Sequence, residues 1–211
     1  DPYVYLGFAQ PVSPEEIAGW FENQESAQIL AAMNRISVAP GDAVLVPAGA
    51  PHAIGEGIFL VELQEPTDFS VMLEWRNFNM PGVVDGQLGL DPARALACFD
   101  RTPWPPDRLA ACRTSRPGGF TDLSPSDTLL PDMADQFFRA ELVSAPRSRR
   151  LAAGYSVLIV TAGAGELVTP VSRTPVRRGS TVLVPFSAGP VELAGEFAAI
   201  RCLPGMGAAV E

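Results

Sequence analysis

A chain of 211 residues that is 47% apolar can bury the core of one medium domain or two small ones. Its net charge of -9 excludes a phosphate-backbone partner of the ordinary kind, because nucleic-acid binding draws on a clustered basic surface. No run approaches the 18 or so apolar residues of a membrane span, and no basic-then-apolar signal pattern opens the chain. All 15 basic residues are arginine, a usage that reads as genome composition rather than chemistry. Cys98, Cys112 and Cys202 are odd in number, widely spaced and without a Cys-x-x-Cys pair, which argues against a disulfide framework or a structural zinc knuckle. The expected compartment is the reducing cytoplasm.

Tyr3–Phe8 reads as a short strand, and the chain opens on it so abruptly that Asp1 looks like the middle of a folded domain. Ser13-Pro14-Glu15-Glu16 then combines an N-cap, a proline at the first helical position and a glutamate at the third. Apolar residues at helical spacing follow, with a polar break at 22–24, so two short helices are expected within 13–34. After Asn34 the texture changes, and residues 35–38, 43–46, 57–63 and 69–75 read as strands of an antiparallel sandwich or barrel.

The stretch 77–132 is rich in Pro, Gly, Asp and Arg and reads as a connector with one helix at 92–99, opened by Asp91. Strands are expected again at 136–143, 155–161, 166–168, Thr181–Val184 and 197–203. Thr161-Ala-Gly-Ala-Gly165 lacks the lysine and helix of a phosphate loop and reads as a hairpin turn. Arg147-Ser-Arg-Arg150 reads as a solvated basic loop.

Gly41-Asp-Ala-Val-Leu-Val-Pro47 recurs as Gly179-Ser-Thr-Val-Leu-Val-Pro185, 138 residues on, which points to two duplicated units. The first copy continues through Gly49-Ala-Pro-His52 and holds the only histidine of the chain. Glycines that accept positive φ and prolines that fix theirs make this a rigid turn, and a neutral imidazole held at a strand end is a good metal ligand. The second copy has no histidine.

The spacing glycine, five residues, proline, one residue, glycine, two residues, histidine resembles the second signature of the cupin superfamily. More closely, Val46-Pro-Ala-Gly-Ala-Pro-His52-Ala-Ile-Gly-Glu56-Gly-Ile58, with Glu62-Leu-Gln64 and Thr67-Asp68, resembles the type I mannose-6-phosphate isomerases. The resemblance implies a mainly β fold of two cupin-type jelly-roll units, the first incomplete, with a short helical insert and a helix-containing connector. The implied division is 1–80 for the carboxy-terminal half of a metal-bearing cupin domain, 81–132 for the connector and 133–211 for a metal-free cupin domain. It also implies zinc, held by His52 and by ligands upstream of Asp1, so an amino-terminal segment of the same protein is expected to complete the first barrel.

The implied activity is the interconversion of mannose 6-phosphate and fructose 6-phosphate, with a sugar phosphate as partner and neither nucleic acid nor membrane. Such an isomerisation passes through an enediol and needs a base at the carbons and an electrophile at the oxygens. Zinc as a Lewis acid suits the second role. Glu56 and Glu62 are the nearby carboxylates, with Glu56 the candidate base and Glu62 and Gln64 candidate substrate contacts; a solvated strand end is the plainer reading of each carboxylate. The family carries an arginine where this chain has Met72. Arg76, four residues along the same expected strand and on the same face, is the candidate replacement for catalysis and substrate binding. Met72 itself favours the alternative, a non-catalytic sugar-binding or regulatory cupin.

Overall fold

The computed structural model describes residues 1–65, 69–76, 78, 86–120, 128–145 and 150–206. In chain order the first elements are β1 (Tyr3–Phe8), α1 (Pro14–Asn23), α2 (Ser26–Ala32), β2 (Met33–Ser37), β3 (Asp42–Val44) and β4 (His52–Ile54). There follow α3 (Pro92–Ala97), α4 (Pro106–Ala111), β5 (Arg113–Ser115), β6 (Phe138–Ser144) and β7 (Arg150–Leu151). The chain closes with β8 (Ser156–Val168), β9 (Arg173–Arg177), β10 (Thr181–Val184) and β11 (Val191–Pro204). The fold is mainly β, with the helical insert and the helix-bearing connector that the sequence implies. It divides into one unit of Asp1–Val38, Val46–Val61 and Pro66–Cys112, and another of Ala39–Leu45, Glu62–Glu65 and Arg113–Glu211.

In the first unit β1 lies between β2 and β4, antiparallel to both. Helix α1 begins as its capping box dictates: the Glu16 N–H donates to Ser13 Oγ at 3.1 Å, and the Ser13 N–H donates to Glu16 Oε2 at 2.8 Å. It stops at Gln24, which takes the left-handed conformation at φ 57°. The buried stripe of Ile17 and Phe21 joins Phe8, Val12, Ile29, Ala32, Met33 and Leu96 in a single apolar cluster. Each large side chain so buried contributes about 1.5–3 kcal/mol.

The second unit is built on two long strands. β8 and β11 run antiparallel through eleven registered pairs, from Glu192 opposite Val168 to Cys202 opposite Val157. β9 and β10 pair with successive halves of β8, and β7 and β6 with successive parts of β11. Phe197, Leu158, Val160, Val191 and Leu193 fill the resulting core. Among the described residues neither the sheet of three strands nor that of six closes into a barrel.

Three expectations need correction. Residues 161–165 are not a hairpin turn but the middle of β8. Their glycines serve close approach instead: Gly165 pairs with Gly195, whose added Cβ would lie 2.8 Å from the Gly165 Cα, and one on Gly163 would collide with the Glu196 carbonyl. Residues 57–63 form no strand, since nothing among the described residues pairs with them and Phe59 is 98% exposed. The described part of 69–75 is likewise irregular, because its backbone groups are bonded elsewhere: the Gln24 side chain donates to Leu73 O and accepts the N–H groups of Trp75 and Arg76, at 2.9–3.1 Å. Of the Arg147–150 cluster only Arg150 lies within the described residues, exposed at the start of β7.

Candidate functional site

The turn before His52 is specified carbonyl by carbonyl. Pro47 O accepts the Ala50 N–H at 3.0 Å, Gly49 O the Asp100 N–H at 2.8 Å and Pro51 O the Gly7 N–H at 2.8 Å. Ala50 O, between the last two, lies 3.0 Å from His52 Nδ1. Gly49 sits at φ +76°, with an added Cβ only 2.8 Å from Cys98 O, so the position is closed to any side chain. A carbonyl can only accept, so this contact is a hydrogen bond when the proton sits on Nδ1. In the neutral ring Nε2 then keeps its lone pair, the tautomer and orientation that a metal-ligating histidine needs. His52 opens β4 opposite Leu6, is exposed, and shares its face with Ile54, itself 53% exposed.

The sequence echo has a local counterpart in the turn bonds. Ala39 N–H donates to Asp42 Oδ2 at 3.0 Å, and 138 residues on Arg177 N–H donates to Ser180 Oγ at 3.0 Å. The Ala50 to Pro47 bond has its counterpart in Ala188 to Pro185, again at 3.0 Å. Both copies are the same pair of turns around a strand. At the place of His52 the second copy has Pro190, so its turn carries no ligand.

The remaining candidates are dispersed. Gly55 N–H bonds Tyr3 O, which puts Glu56 beyond the far end of β4, about 10 Å or more along the strand from His52. There Glu56 lines a shallow hollow of about 410 Å³ with Asp1, Pro2, Tyr3 and Gly57. Glu62 and Gln64 are exposed and bonded to each other, Gln64 Nε2 donating to Glu62 Oε1 at 2.9 Å. Arg76 does not share a strand face with Met72. Its N–H is held by Gln24, its Nη1 reaches Asn23 O at 3.4 Å, and its guanidinium lies over the Trp75 ring at 5.9 Å. A zinc site takes three or four protein ligands, and no three His, Cys, Asp or Glu side chains gather among the described residues. His52 thus fits zinc as one donor, while the described residues do not make a complete site.

No family profile matches the sequence, and no curated protein matches it. Solved structures do. The mannose 6-phosphate isomerase of Bacillus subtilis superposes with a TM-score of 0.61 at 16% identity, over 96% of this chain and 60% of its own. The Salmonella typhimurium enzyme, bound to fructose 6-phosphate and zinc, superposes with a TM-score of 0.56 at 14% identity, over 97% of this chain and 64% of its own. This chain shares the fold of these two enzymes. It spans about three fifths of the length of the solved structures it matches. No helix among the described residues is long and apolar enough to cross a membrane, and all three cysteines are free thiols.

Within this fold, Gly7, Asp100 and Trp104 buttress the His52 turn, and the sequence pattern assigned none of them to it. The signals were a glycine inside an apolar strand, which marks a close approach, and the Asp100-Arg-Thr102 pattern of a side-chain-capped turn.

Proposed function

We propose that this chain is the carboxy-terminal part of a zinc-dependent sugar-phosphate isomerase acting between mannose 6-phosphate and fructose 6-phosphate. The observation that carries this reading is the His52 imidazole, turned by its Nδ1 contact to Ala50 O so that Nε2, which has no bond among the described residues, can take a metal, at the position that resembles the cupin signature's ligand and in a chain that shares the fold of the solved isomerases. Bound zinc would act as a Lewis acid on the sugar oxygens. His52 supplies one ligand and an amino-terminal segment the others. In the sheet β2-β1-β4 the outer strands pair with no further strand among the described residues, and an added segment can extend the sheet there. On this reading 1–80 is half of the metal-bearing domain, 81–132 the connector and 133–211 the metal-free domain, and the enzyme works in the cytoplasm. Glu56 is not assigned as base, because β4 carries it away from His52.

The test is an assay of the complete encoded protein for isomerisation of mannose 6-phosphate, with and without chelator, beside His52→Ala. Zinc-dependent turnover lost in the variant supports the proposal. Absence of turnover in zinc-replete protein favours instead the non-catalytic sugar-binding cupin, a reading for which Met72 and the Arg76 backbone and guanidinium bonded to the end of α1 speak.

A further inference from the structure

We infer that Asp100 is the positioning residue of the His52 turn, acting through the Gly49 carbonyl to fix the imidazole in its Nδ1–H tautomer. Its N–H donates to Gly49 O at 2.8 Å. The carboxylate is locked by four donors: Thr102 N–H at 3.0 Å and Thr102 Oγ1 at 2.6 Å on Oδ1, Trp104 Nε1–H at 3.0 Å and Arg108 Nη2 at 2.8 Å on Oδ2. Arg108 lies over the Trp104 ring at 3.7 Å, a cation–π contact that holds the third side of the cluster.

The other anchor of the turn belongs to the same cluster. Gly7, whose N–H takes Pro51 O, has the Trp104 indole pressed against its Cα, and Trp104 is 2% exposed. The indole therefore binds Asp100 through its Nε1–H and Gly7 through its ring face. Gly49 O and Pro51 O are both held from this one side. Peptide planes are rigid, so fixing the groups on either side fixes the Ala50 carbonyl between them, and Ala50 O is what Nδ1 bonds. Although burial raises the Asp100 pKa, the Thr102, Trp104 and Arg108 hydrogen bonds prevail and bring it down to about 2, so the lock stays charged at any neutral pH.

In the ¹⁵N-histidine-labelled complete protein, comparison with His52→Ala assigns the imidazole nitrogen resonances of His52, which report directly which nitrogen carries the proton. In the parent at about pH 8 the Nδ1–H form should predominate over the Nε2–H form. Asp100→Ala should lose that predominance, and Trp104→Phe, which removes only the Nε1–H, should shift it in the same direction. Asp91→Ala, which removes the cap on the Arg94 N–H at the start of α3, is the control for mere destabilisation and should leave the tautomer alone. Should Asp100→Ala fail to fold, Trp104→Phe decides. An unchanged Nδ1–H form in the folded variants, or an equal shift in the control, overturns the inference. Its bearing on zinc rests on the proposed function, but the measurement needs neither metal nor sugar. Failure of the isomerase assay and failure here are therefore separate results.

Discussion

Trp104 occupies the space that any side chain at Gly7 would need: an ideal Cβ there falls inside the indole, against its Cγ and Cδ2. Gly7 is also at φ +63° and sits at the register shift between β1 and β2, between Tyr5 and Phe8. Gly7→Ala therefore combines left-handed strain with overpacking, each costing about 1–3 kcal/mol. Urea unfolding should show a loss of about 3 kcal/mol. A loss below about 0.5 kcal/mol would mean that the indole is not seated where the structure has it. The same variant should loosen the His52 turn, because the N–H that holds Pro51 O belongs to the residue displaced.

What could be read ahead of the structure was decided by short-range chemistry. The capping box at Ser13 and Glu16 and the polar break at 22–24, where α1 ends on Gln24, depend on residues within four positions, and each stands as expected. The His52 turn was legible for the same reason, since its prolines and glycines act locally. The described part of 69–75 was not, because the groups that remove it from a sheet come from Gln24, about fifty residues earlier. Glycines 163 and 165 were misread because a glycine looks the same whether it reverses the chain or admits a neighbour, here the strand around Glu196. Asp100 stayed invisible as part of the site, since its meaning lies in Gly49 and Gly7, which only the fold brings beside it.

Gln24 gives the second prediction. Its side chain makes three bonds to the backbone of Leu73, Trp75 and Arg76 and a fourth to Phe21 O, while its left-handed backbone suits glycine. Gln24→Gly keeps the turn and removes the amide. With roughly 1 kcal/mol for each hydrogen bond, the loss should be about 2–3 kcal/mol, read by urea unfolding. Limited proteolysis should begin within 69–76 before it touches α1. Cleavage rates equal to those of the parent would show that the Phe21 stack on Trp75, with ring centroids 5.5 Å apart, anchors this segment without Gln24.

Asp42 and Ser180 occupy equivalent turns but differ in charge, which yields a pH-dependent prediction. Burial raises the Asp42 pKa, and bonds from Ser115 and the Ala39 N–H, with the Arg113 guanidinium at 3.2 Å, bring it below 3.8 in net. A carboxylate depressed in the folded state stabilises the protein above its unfolded pKa, near 3.9, and that contribution is lost as the pH falls through the folded value. Asp42→Ser converts the first turn to the chemistry of the second, keeping an acceptor for Ala39 and losing the ion pair. At pH 7 it should cost about 1.5–3 kcal/mol, as hydrogen bonds to charged groups do, and the gap should close below about pH 4. Ser180→Ala should cost about 1 kcal/mol at every pH, since nothing there titrates. Urea midpoints measured between pH 2 and 7 distinguish the two. A gap for Asp42→Ser that does not shrink on acidification would show that the carboxylate acts in this turn only as a neutral acceptor would.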